Sequence, residues 1–384
     1  MALMMKNKKY FLLIIMCLGL GIYLFQGEKP EKNELILKPE KNELILLEIP
    51  EGENVNIVHL SDETIKRRHP ILNQFNNISL TKDEIFLSQY RFSNKEKMEE
   101  AGKKVVVLDR QSLKLKKEIQ LQGYHPKDVV VFKDKLLVKV RSLGTENASG
   151  FEVYALDSKQ YLGHLNLRED FVFFDWLIYD NHFYVVADGM SLNKKNSPNI
   201  SKADKKTTSG YVITFKFDIN TLKLLDHYSF GTKIVSASDV ALFGDQLVIA
   251  SVTKYSKHGS HHAVSDNKLH FIDIATGKIT QKIELKGDPR KILINKNRKE
   301  LYVSGTDPIF QIVSLEKPFK IEQFNFSGVR DMYMLDENTL LLNQRFMILN
   351  GYSGEPQISH FDIDQRKVTK ITPGSFGPFP KIFN

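Results

Sequence analysis

Three histidines, His258, His261 and His262, sit close together in KYSKHGSHHAVSDNKLH, with Asp266 and His270 just behind them. Imidazoles at this density suit a transition metal such as zinc, copper or nickel. His261 and His262 are adjacent, so both can ligate one ion only if the backbone bends between them. No cysteine or glutamate reinforces the set. The stretch reads equally as an exposed histidine-rich loop with no cofactor. A second group of charged residues recurs in short, similar settings: Lys127 and Asp128, Asp239, Arg290, and Arg330 with Asp331. The guanidinium groups of Arg290 and Arg330 suit a carboxylate or phosphate. With Asp128, Asp239 and Asp331 they could form a mixed-charge ligand site, or pair among themselves as a salt-bridge belt. No residue is assigned a catalytic role. The chain has no nucleophile motif, no metalloprotease-type His-Glu-x-x-His helix, no phosphate loop and no paired-cysteine site.

The totals bound what elements can carry these groups. The chain has 384 residues, is 42% hydrophobic and carries a formal net charge of +8. The positive excess is spread over short lysine pairs rather than gathered beside aromatics. That pattern excludes a recognised nucleic-acid module and fits a basic surface facing an anionic membrane or cell-envelope polymer. The single cysteine, Cys17, permits no intrachain disulfide.

Residues 10–25, YFLLIIMCLGLGIYLF, are uncharged and follow Lys6, Lys8 and Lys9. As a helix they would span about 24 Å, which flanking residues can extend to cross a membrane. The basic flank predicts a cytoplasmic tail over 1–9, a signal-anchor segment over 10–25 and the rest of the chain outside. Met16 before Cys17 argues against lipoprotein processing. Gly19 and Gly21 offer a small-x-small pattern for cleavage, but no good site follows Phe25. Residues 26–42 have linker composition, and KPEKNELIL occurs twice, at 29–37 and at 38–46, the second copy running into the strand-like region.

From residue 43 to 384 the pattern is strand-like, with short β-branched and aromatic runs separated by turn residues. Two hairpin units alternate. The first ends its leading strand with an aspartate in most copies: Asp109, Asp157, Asp218, Asp273 and Asp362, with Ser61 and Ser314 elsewhere. A carboxylate there accepts hydrogen bonds from turn amides and fixes a tight hairpin. The second unit reads ISLTKDEIFLS, VVVFKDKLLVKV, WLIYDNHFYVVA, VALFGDQLVIAS, ILINKNRKELYVSG and MYMLDENTLLLNQ. Each first unit with the second that follows it is expected to make one four-stranded sheet, the signature of an all-β propeller blade. Seven first units and six second units predict seven blades. The last would be left without its outer strand. NELIL at 42–46 is expected to complete it, with the earlier copy at 33–37 as an equivalent alternative, while PFPKIFN supplies its third strand.

The stretch FIDIATGKITQKIELKGDPRKILINKNRKELYVSGTD resembles a repeat of the YVTN-type β-propeller family through Asp273, Thr276, Gly277, Lys278, Pro289, Tyr302 and Val303. HPKD at 125–128 echoes it. The resemblance implies a seven-bladed, often extracytoplasmic propeller. It does not imply one activity, because the relatives include binding proteins, lactonases and quinoprotein-like enzymes. The long segments 91–102, 142–150, 189–210, 253–267 and 345–356, read as blade-to-blade links, should gather on one face. Loops of that kind carry function more often than their scaffold. The first reading is therefore a membrane-anchored binding or scaffold module for a protein, peptide or envelope component. The second is a lactonase-like or metal-dependent hydrolase working in the central channel. Trp176 is expected in the core.

Overall fold

The computed structural model describes residues 44–48, 55–61, 64–71, 74–91, 103–142, 150–167, 173–189, 211–230, 233–234, 236–252, 266–305, 309–326, 328–344 and 356–374. All described elements are strands, arranged as seven antiparallel sheets taken in sequence order. The first has three strands, β1 (Leu44–Glu48), β2 (Val55–Ser61) and β3 (Thr64–Ile71). Six four-stranded sheets follow. They are β4 (Gln74–Leu80), β5 (Glu84–Arg91), β6 (Lys104–Asp109) and β7 (Leu115–Gln120); then β8 (Tyr124–Phe132), β9 (Lys135–Ser142), β10 (Gly150–Ala155) and β11 (Tyr161–Asn166). The third set is β12 (Phe173–Tyr179), β13 (His182–Gly189), β14 (Tyr211–Asp218) and β15 (Leu224–Ser229); the fourth is β16 (Ala237–Phe243), β17 (Gln246–Ser251), β18 (Lys268–Asp273) and β19 (Ile279–Glu284). The last two are β20 (Pro289–Asn295), β21 (Glu300–Gly305), β22 (Ile309–Ser314) and β23 (Ile321–Asn325), then β24 (Val329–Met334), β25 (Thr339–Gln344), β26 (Gln357–Asp362) and β27 (Lys367–Pro373).

This is a β-propeller of six four-stranded blades. The expectation of seven such blades is corrected: the remaining sheet, β1–β2–β3, has three strands among the described residues. The first strands form the hub, with β4 packed on β8, β12 on β16, β16 on β20 and β20 on β24. Polarity grades outward. The second and third strands are almost wholly buried, as in QLVIAS of β17 and KLHFID of β18, whereas LKKEIQ of β7 buries only Ile119. Six apolar clusters each join one sheet to the next, from Ile45 and Ile57 against Phe75 and Ile78 to Tyr302 and Phe310 against Leu340 and Phe361. No sheet could bury both faces alone, so each stabilises its neighbours.

Two expectations about phase and closure are revised. A blade joins each second unit to the first unit that follows it, not to the one before. The long segments therefore connect second to third strands within a blade, and the blade-to-blade links are short, as at 121–123 and 285–288. The long connections still share one end of the blades, because each lies where the first strand of its sheet begins. The strand β1 pairs only with β2, Ile45 opposite His59 and Leu47 opposite Ile57. It thus holds the place that β5 or β21 holds in a full blade, not an outer edge. PFPKIFN and the first KPEKNELIL copy lie outside the described residues.

The aspartate hairpins are confirmed in detail. Asp273 Oδ1 accepts from the Thr276 amide at 2.8 Å and its hydroxyl at 2.7 Å. Asp109, Asp218 and Asp362 accept likewise from Ser112, Thr221 and Gln365. Asp157 is not their equivalent. Lys159 N donates to Ala155 O as Gly277 N does to Asp273 O, so Ala155 occupies that position. Each turn then places a residue with positive φ against the preceding blade. Leu113 (φ 57°) enters the first apolar cluster, Lys159 (φ 61°) reaches Glu84 at 2.6 Å, and Arg366 (φ 54°) reaches Glu300 at 2.6 Å.

Candidate functional site

The first strands share a second regularity. In five of the six four-stranded blades the pairing between first and second strand slips by one residue at the same place: around 76, 127, 238, 290 and 330. A bulge bends a strand and re-aims its side chains, and such bulges concentrate beside functional sites. The residue that follows is Asn77, Asp128, Asp239, Lys291 or Asp331, and register places Asp175 of β12 at the same level. These six polar residues begin the apolar runs NISL, DVVV, DWLI, DVAL, KILI and DMYM. They form a belt around the hub, at the end of the blades from which the long connections leave.

The belt is rigidly wired. Asn77, Asp128, Asp175 and Asp331 each accept from the amide of the next residue, at 2.6, 2.9, 2.9 and 3.0 Å. The second oxygen of Asp128 accepts from the Trp176 indole at 3.2 Å. Trp176 is thus both a buried core aromatic, stacked near Phe183, and a tie between blades. Asp239 accepts from Ile292 N at 2.7 Å in the next blade. Lys291 Nζ lies 2.8 Å from Asp239 Oδ1 and 3.4 Å from Asp175 Oδ2, so one ammonium links three successive blades. Only a narrow hub allows that reach.

Two carboxylates facing one ammonium cannot both be fully compensated. Burial pushes Asp239 well above the usual carboxylate range; Lys291 opposes this, and the neighbouring Asp175 adds to the rise. Burial alone would lower Lys291, but Asp175, Asp239 and Asp331 hold it well above its ordinary value, as a cation. The Lys291 side chain is 32% exposed, while those of Asp175 and Asp239 are 8% and 5% exposed. Of these three side chains the ammonium is the most exposed, and the half-buried Asp331 carboxylate lies near it.

Of the ligand-site residues expected from sequence, Asp128, Asp239 and Asp331 come together at the belt level. Arg290 and Arg330 occupy the bulges of neighbouring blades, one residue before it, and both are half-buried. Asp175, Lys291 and Asn77 were missed. Stacking the six first strands on the polar residue that opens each apolar run would have found them. The metal candidates His258, His261 and His262 lie outside the described residues. Among the described residues no group of three or more His, Cys, Asp or Glu is placed to hold a metal. Their neighbours are described. His270 is buried, with Nε2 3.1 Å from Asp266 Oδ2, and Ser251 Oγ donates to that same oxygen at 2.8 Å. Burial would raise Asp266, but the His270 and Ser251 hydrogen bonds outweigh it and hold the carboxyl below its usual range. Histidine and serine both address the aspartate rather than each other, so this is not a nucleophilic triad.

No helix among the described residues is long and apolar enough to cross a membrane, and residues 10–25 lie outside them. No family model matches the chain, and no curated protein does, so the YVTN resemblance stands on its motif alone. Solved structures do align. Kuenenia stuttgartiensis hydrazine synthase matches with a TM-score of 0.55 at 10% identity, over 90% of this chain and 99% of that one. The computationally designed Ika8 protein matches with a TM-score of 0.53 at 10% identity, over 91% and 93%. At such identity the likeness carries the architecture and no activity: the chain is similar to these proteins as a β-propeller.

Proposed function

We propose that this protein is a membrane-anchored, extracytoplasmic binding or scaffold module that captures a protein, peptide or envelope component at the belt end of its propeller. The observation that carries the reading is the belt. Six successive first strands present a fixed polar group at one level, on the end where every long connection attaches. A rigid, pre-oriented polar end framed by long loops is what recognition asks of a scaffold. Arg290, Arg330, Asp128, Asp239 and Asp331 are its ligand-facing candidates, with Lys291 and Asp175 added. Residues 10–25 serve as the anchor, supported by their uncharged run and the lysines before it. The finer architecture proposed is a YVTN-type repeat, supported by Asp273, Thr276, Gly277, Lys278, Pro289, Tyr302 and Val303. His258, His261 and His262 remain candidate ligands for a transition metal, which elemental analysis of the purified chain would detect.

The test is crosslinking of the full-length chain in its own membrane, comparing the parent with a variant whose 189–210 and 253–267 segments are shortened. Both segments connect strands inside blades, and the parts to be shortened, within 190–210 and 253–265, lie outside the described residues. The shortened chain should keep its cooperative unfolding and lose the crosslinked partner. Undiminished capture by the shortened chain would sink the assignment of this end.

A further inference from the structure

We infer that Arg290 and Lys291 form a receptor for an oxyanion, a carboxylate or phosphate group, at the exposed edge of the belt. The inference rests on reading this end as the binding face and names the ligand chemistry. It follows from which hydrogen-bonding groups are already engaged. Asp128 gives its two oxygens to Val129 N and Trp176 Nε1; Asp175 gives its two to Trp176 N and Lys291 Nζ. Asp239 gives its two to Lys291 Nζ and Ile292 N. These carboxylates are also buried, so they are poorly placed to receive a ligand.

The donors are in the opposite condition. An ammonium has three protons and a guanidinium five. Lys291 directs its bonds at Asp175 and Asp239, leaving one proton, on a side chain 32% exposed. Arg290 is half-buried and forms no side-chain hydrogen bond or ion pair among the described residues. In a regular strand consecutive side chains point to opposite faces. Here Pro289 pairs with Gly305 and Lys291 with Ser304, so Arg290 is the extra residue of a bulge that breaks this alternation. Two cations consecutive in sequence, with donors to spare beside three acids whose oxygens are engaged, call for an acceptor-only group carrying negative charge. A neutral sugar hydroxyl can accept such a bond but leaves the two positive charges uncompensated, and an ammonium can accept none.

Calorimetric titration of the full-length chain in neutral detergent tests this, using sodium acetate, inorganic phosphate and chloride at matched ionic strength. Saturable binding of acetate or phosphate, but not of chloride, is expected. Preference between the two identifies a carboxylate- or a phosphate-bearing ligand. Arg290→Gln should weaken binding by about tenfold or more with an unchanged melting temperature, since Arg290 makes no side-chain hydrogen bond or ion pair among the described residues. Lys291→Arg, which keeps the charge between the two aspartates, should retain binding. Equal responses to all three salts, or full binding by the Arg290→Gln variant, would overturn the inference. Those results would leave the loop-shortening experiment untouched, so the binding face and its anionic specificity fail separately.

Discussion

Lys291 links Asp175 and Asp239 across three blades, and its loss should be felt as stability before it is felt as function. Lys291→Met leaves two enclosed carboxylates without their cation. Breaking a buried pair in this way costs about 3–5 kcal/mol, and the lower end applies because the ammonium is partly exposed. The sign of the pH dependence follows from Asp239, whose pKa is already raised by burial. A raised carboxyl is unfavourable only when ionised, so the penalty is full above its folded pKa and fades as falling pH protonates it. Urea unfolding of variant and parent should therefore differ most near pH 8 and least near pH 4. A difference that grows toward acid would contradict the wiring described. Sequence reading reached Asp128, Asp239 and Asp331 because each follows a conspicuous basic or small residue. It passed over Lys291 and Asp175 because PRKILI and FFDWLI mark no motif. Their role comes from register, which brings together residues 116 positions apart.

The aspartate hairpins are the elements best legible in sequence, because one side chain and one turn fix them locally. What sequence concealed is their outward task, since the residue after each turn touches a different blade. Gly277 (φ 64°) is the sharpest case. A Cβ there would lie 2.2 Å from the Tyr228 ring of the preceding blade. Gly244 (φ 57°) offers a control, having nothing within 4 Å of a Cβ. Alanine at either position bears the left-handed backbone cost of about 1–2 kcal/mol, and Gly277→Ala adds displacement of a partly buried tyrosine. Chemical denaturation should rank Gly277→Ala clearly below Gly244→Ala. Equal losses would mean that Tyr228 moves aside freely.

At the scale of the whole chain, the repeat was visible but its phase was not. A four-strand repeat can be cut at any of its connections, and hairpin motifs do not say which strand lies at the hub. The outward rise in charge does say it: LKKEIQ belongs at the rim and ILIN at the hub. Closure can be tested through the duplication. Deleting either KPEKNELIL copy leaves the same chain, so only substitution separates them. Ile45 is fully buried against Ile57, Phe75 and Ile78, and Ile45→Ala should cost about 2–5 kcal/mol. Ile36→Ala, in the first copy, should cost nothing. That copy continues into Lys38 and Pro39 where the second continues into Leu47 and Glu48, and proline has no N–H for the ladder. A mild Ile45→Ala that becomes severe only with Ile36→Ala would show the copies exchanging. The belt has a last consequence. A hub built from near-identical blades offers a visitor on its axis nearly equivalent orientations, one per blade. A single lysine among aspartates and an asparagine removes that rotational degeneracy. It marks one blade as the reference direction, so the ring presents a different surface at each rotation about its axis.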